Sequence, residues 1–94
     1  MSRTERKKPL ERAPTPWPDV PSDDALGEAA RQFALNLRTA IGPTSIRAAA
    51  ASSDINHATL LRILSGEVWP DLETIVKLEI GLDAALWPGR VNPL

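Results

Sequence analysis

An all-α fold is what this sequence predicts, and three observations predict it. Apolar residues recur at spacings of three and four, the period of one helix face: Leu26, Ala30, Phe33, Leu37 and Ile41 in one run, Leu72, Ile75, Leu78 and Leu82 in another. Capping residues stand before such runs, and Gly or Pro stands after them. The two-residue alternation of a half-buried strand appears nowhere. The 94 residues suffice for one small core, and with aromatics at only 4% that core must be aliphatic.

The elements follow in order. Ser22 or Asp23 caps a first helix, with Asp23, Asp24 and Glu28 near its positive end, and Gly42-Pro43 stops it. Thr44 or Ser45 opens a short second helix, Ile46-Arg47-Ala48-Ala49-Ala50-Ala51, whose alanines favour helix and permit close approach. Ser52-Ser53-Asp54 is a turn. Asn56 caps a third helix from His57 to about Ser65, and Gly66 terminates it. Trp69-Pro70 resets the chain. Asp71 caps a fourth helix with Leu72, Ile75, Leu78 and Leu82 inward and Gly81 weakening its end. Asp83 to Leu86 is expected to form a last short turn or fifth helix, stopped by Pro88-Gly89. The expectation is a compact five-helix domain over residues 23–94.

Residues 1–22 differ in kind. They hold five of the nine prolines and five cations against three carboxylates, a net charge of +2, whereas residues 23–94 carry a net charge of −3. Proline fixes φ and removes a donor, and the apolar content is too low to offset the entropy of ordering. A disordered, basic, Pro-rich arm is the expectation, whose Arg3, Arg6, Lys7, Lys8 and Arg12 are candidates for contacts to phosphates or a nucleic-acid groove. Trp17, between Pro16 and Pro18, would waste apolar area in such an arm unless it docks on the domain or on a partner.

Composition closes several routes. There is no cysteine, which excludes disulfides and thiolate metal sites, and a single histidine, His57, which excludes a multi-histidine metal site. No metal or cofactor is expected. No apolar run approaches the ~20 residues a membrane helix needs, and the N-terminus lacks the apolar stretch of a secretory leader, so a cytoplasmic location is the default. Ser52, Ser53, Asp54 and His57 crowd one tight turn and cannot converge on a pocket as a catalytic triad does; the chain is not expected to be an enzyme.

The informative segment runs from Ser45 to Gly66. A short helix, a tight turn and a second helix make a helix-turn-helix. Small residues are needed at the crossing, and Ala49 and Ala50 supply them. Ile55 pins the second helix after the turn, while Leu60 and Ile63 bury its inner face and leave the opposite face free.

Ser45-Ile46-Arg47-Ala48-Ala49-Ala50, then Ile55 through Gly66, then Pro70-Asp71-Leu72-Glu73-Thr74-Ile75-Val76-Lys77-Leu78, resembles the Cro and lambda-repressor-like (XRE-type) helix-turn-helix family over about residues 25–87. The chain departs from the family pattern at Asp54 in the turn, at Ile46, at Leu61 and Leu64, and at Glu67 after the third helix. The resemblance implies sequence-specific binding of double-stranded DNA by a repressor-like transcriptional regulator, phage-derived or bacterial, with residues 56–65 in the major groove. It implies base contacts from His57, Ala58, Thr59 and above all Arg62, whose guanidinium suits guanine O6 and N7. Ser45, Arg47, Asn56 and Arg38 are the phosphate candidates. A homodimer on two half-sites is expected, with its interface in Leu82 to Leu94. The alternative reading is an antitoxin or adaptor whose partner is a protein, met by a patch of Trp69, Trp87, Leu61 and Leu64.

Overall fold

The structure, a computed structural model, describes residues 6–92. Four α-helices form among them: α1 (Ala25–Ile41), α2 (Ile46–Ser52), α3 (His57–Leu64) and α4 (Leu72–Leu82). No strand occurs among the described residues. Each helix begins on a side-chain cap. Asp24 accepts from the Leu26 amide at 2.9 Å, Ser45 from Ala48 at 3.0 Å, Asn56 from Ala58 at 2.7 Å and Asp71 from Thr74 at 2.8 Å. Such a cap is worth about 1 kcal/mol. The first cap is Asp24 rather than Ser22 or Asp23, because Ser22 is buried and its hydroxyl donates to the Arg12 carbonyl at 2.7 Å.

One aliphatic core joins the helices. Phe33, Leu37 and Ile41 of α1, Ala49 and Ala50 of α2, Leu60 and Ile63 of α3, and Ile75 and Leu78 of α4 enclose Leu86 from the chain beyond α4. Three residues expected inward stand outside it: Leu26 and Leu72, 55% and 76% exposed, and the half-buried Ala30. Gly81 is a close-approach position rather than a weak helix end, since a Cβ there would run into the Ser52 and Ser53 backbone.

The fifth helix, expected over Asp83 to Leu86, does not form. Asp83 ends α4 in the left-handed region at φ 50°. Beyond it the Leu86 and Trp87 amides donate to the Glu79 carboxylate at 2.8 and 3.0 Å. This anchor holds the segment irregular so that Leu86 can plug the core. The amides of Trp87 and then Leu86 hold the Glu79 carboxyl below its ordinary pKa.

The disordered arm is also corrected, over residues 6–22. They form a strap against the helices, with a 3-10 turn at Pro9–Arg12 and with Pro9, Pro18 and Ser22 buried. Polar stitching supplies what the low apolar content could not. Glu28 and Arg31, both buried on α1, pair through two bonds of 2.7 and 2.8 Å. The pair then reaches the strap: Glu28 accepts from the Ser22 amide at 2.9 Å, and Arg31 donates to the Pro18 carbonyl at 3.1 Å. Arg12 adds a 2.8 Å bridge to Asp24. The Arg31 guanidinium, with help from Gln32 and the Ser22 amide, overcomes burial and lowers the Glu28 pKa from 4.5 to about 2.

Candidate nucleic-acid interface

The interface is built on the crossing of α2 and α3. Ala49 and Ala50 are buried there, and the Ile55 amide donates to the Ala50 carbonyl at 3.1 Å. Between the helices Asp54 takes the left-handed turn at φ 55°, a conformation Asp tolerates better than most side chains. This pair is a helix-turn-helix.

The two faces of α3 separate cleanly. Leu60 and Ile63 are buried, while Ala58, Leu61, Arg62 and Ser65 are exposed on the opposite side. Ala58 and Arg62, one turn apart, share that outer face; His57 and Thr59 are half-buried at its two edges. Arg47 is exposed on α2. Among the described residues neither Arg47 nor Arg62 forms an ion pair. Arg38 is exposed too but is bridged to Asp19 of the strap at 3.1 Å. Ser45 and Asn56 stand at the N-termini of α2 and α3 with their side-chain oxygens already accepting cap hydrogen bonds.

The strap cations are placed differently from the expectation of a free basic arm. Lys8 pairs with Glu67 at 3.3 Å, and Arg12 with Asp24. The Arg6 guanidinium lies 5.5 Å from the centroid of the Trp69 ring. Lys7 is exposed, and its carbonyl accepts from the Trp69 indole at 2.8 Å. Arg3 lies outside the described residues. The carboxylate of Glu67, unfavourable beside a phosphate, is thus offset from within the chain.

Sequence reasoning missed how the strap meets α3. The Trp17 indole N–H donates to the Leu64 carbonyl at 3.0 Å, and the Leu10 amide donates to the Gly66 carbonyl at 3.0 Å. A helix C-terminus leaves carbonyls without partners, and the strap fills this need at α3. Gly66 sits at φ 77°, and a Cβ there would meet the Trp17 ring at 2.8 Å and Leu10 at 2.9 Å. The signal in the sequence was a lone Trp between prolines in a polar stretch.

The Trp and Leu patch expected for a protein partner is divided. Trp69 and Trp87 line a groove of about 410 Å³ with Leu26, Phe33 and Ile75, edged by Arg6 and Asp71. Leu61 and Leu64 lie outside that groove, and Leu64 packs against the core.

No family model matches the chain, and no curated protein matches it. Among solved structures it is similar to the restriction-modification controller protein C.AhdI from Aeromonas hydrophila, at 30% identity and a TM-score of 0.47, over 56% of this chain and 79% of that one. Among the described residues no helix is long and apolar enough to cross a membrane.

Proposed function

We propose that the chain is a sequence-specific double-stranded DNA-binding protein that regulates transcription in a repressor-like way in the cytoplasm of a bacterium or under a phage programme. The observation that carries this reading is the outer face of α3. It presents Ala58 and an Arg62 that has no ion-pair partner among the described residues, on a helix held by a core on one side and the strap at its end. Arg62 reads guanine, Ala58 meets a thymine methyl, and His57 and Thr59 work from the edges of the helix. Arg47 contacts a phosphate, and the α2 and α3 N-termini with Ser45 and Asn56 turn amides toward the backbone. One such helix reads only a few base pairs, so two copies on two half-sites complete the site.

The test is selection of bound duplexes from a random pool at physiological salt, beside Arg62→Ala. Enrichment of a roughly palindromic motif, degraded at one or two positions in the variant, is expected; each lost contact costs about 1–3 kcal/mol of discrimination. No enrichment for the natural chain would overturn the reading. The alternative, an antitoxin or adaptor, draws support from Lys8, Arg12 and Arg38 being engaged by carboxylates of the chain itself.

A further inference from the structure

The groove bounded by Trp69 and Trp87 has the make-up of a small-molecule site. Its volume of about 410 Å³ falls in the usual range for such sites, and its lining is mostly apolar. The floor is Phe33 of α1 and Ile75 of α4, both buried in the core and so held in place. The walls are Leu26 and Trp87, 55% and 60% exposed, whose apolar area no part of the described chain covers. The rim supplies a charge. Arg6 is exposed and joins no ion pair among the described residues. Its guanidinium lies over the Trp69 ring, 5.5 Å from the centroid, and Trp69 is itself fixed by its indole bond to the Lys7 carbonyl. A guanidinium held over a ring keeps edge donors free, and those donors match a carboxylate in a two-pronged fit. The other rim charge, Asp71, is already engaged: it accepts from the Thr74 amide at 2.8 Å at the positive end of α4. The smaller hollow of about 240 Å³ beside Arg38 lacks a free cation, since Arg38 is bridged to Asp19 at 3.1 Å.

We propose that this groove binds a small apolar carboxylate, best of all a flat aromatic acid. The ring enters between Trp69 and Trp87 above Phe33, and the carboxylate pairs with Arg6. The same rim rejects the matching amine, because Arg6 repels it. Occupancy also restrains the strap. Arg6 lies at its start, the Lys7 carbonyl holds Trp69, and the Leu10 amide holds the Gly66 carbonyl at 3.0 Å. A ligand that ties Arg6 to the groove therefore steadies the segment that finishes the end of α3. Binding requires no DNA, so the proposal stands or falls apart from the reading of α3 as a base reader.

The experiment is isothermal titration calorimetry of the full chain with indole-3-acetate, beside the alcohol tryptophol and the amine tryptamine, which carry the same ring. One acid per chain is expected, with a Kd below about 1 mM for a ligand this small. The alcohol and the amine are expected to bind about tenfold more weakly, for want of the charged pair. Arg6→Gln should weaken the acid about tenfold and leave the alcohol unchanged, a difference that misfolding could not produce. Leu26→Glu, at an exposed position, should weaken acid and alcohol alike, with circular dichroism showing that the helices persist. Hydrogen exchange at the Leu10 amide should slow when the acid is bound. Absence of binding by the acid, equal affinity for acid, alcohol and amine, or acid binding indifferent to Arg6→Gln each overturns the proposal. One acid per two chains overturns it as well, by making a second copy part of the site. So does binding seen only after residues 1–5 are removed, which would make that segment the occupant. Unchanged Leu10 exchange at saturation overturns the restraint on the strap.

Discussion

The strap and the outer face of α3 carry the same kind of residue to opposite ends. In the strap Lys8 and Arg12 each meet a carboxylate and Arg6 covers a tryptophan, while on the helix-turn-helix Arg47 and Arg62 make no ion pair among the described residues. The more basic stretch of sequence is therefore the one whose charge is largely spent within the molecule. In the acidic remainder Arg31, Arg38 and Lys77 are paired as well, and on the helix-turn-helix Arg47 and Arg62 are the exposed exceptions. Net charge over a segment says little about which cations are available; the carboxylates that fold beside them decide it.

That contrast breaks most easily at the buried pair. Glu28→Gln leaves Arg31 charged and unpaired beneath the strap, which costs about 3–5 kcal/mol, measured as a shift in the urea midpoint. If the strap were a loosely held tail, the loss would stay within about 0.5 kcal/mol, as for a surface change. Acid acts on the same group. The folded Glu28 pKa of about 2 lies below its ordinary 4.5, so its contribution is present above about pH 4.5 and is lost as pH falls from there toward 2. Asp24, lowered chiefly by its bond to Arg12, moves in the same direction. Acid titration of stability should show this loss in the natural chain and a shallower one in Glu28→Gln.

A smaller effect separates positioning from charge. Trp17→Phe keeps an aromatic side chain but removes the donor to Leu64 and part of the ring packed at Gly66, costing about 1–2 kcal/mol. Hydrogen exchange should quicken in the last turn of α3, and DNA affinity should fall with its salt dependence unchanged, because no phosphate contact is lost. Loss of salt dependence would instead make the strap a phosphate binder. The smallest stability effect belongs to Arg62→Ala, within about 0.5 kcal/mol by thermal melting, because the exposed guanidinium supports nothing in the fold. A large destabilisation would show that Arg62 serves the structure rather than a ligand.

Much of the body was legible because its signals are local. Ser45, Asn56 and Asp71 act as caps within three residues of themselves, and Asp54 and Gly66 turn the chain where their φ values permit. The inner face of α3 was likewise read from Leu60 and Ile63. The strap was not legible, since its anchors join residues far apart: Trp17 to Leu64, Leu10 to Gly66, Lys7 to Trp69. Its prolines argued truthfully against helix and strand but could not report docking. On α4 two apolar stripes overlap, and spacing alone assigned Leu72 to the inner one; only burial separates it from Ile75 and Leu78. The fifth helix failed for a tertiary reason, the Glu79 carboxylate claiming the Leu86 and Trp87 amides.

The join at Gly66 also fixes an order of events during synthesis. Trp17 and Leu10 leave the ribosome long before the carbonyls of Leu64 and Gly66 on which they settle. The strap can meet α1 early, but its join at Trp17 and Leu10 has no seat until α3 has been made, so that join forms late, over contacts of high sequence separation whose loop closure slows them. The end of α3 is finished by a segment translated well before it.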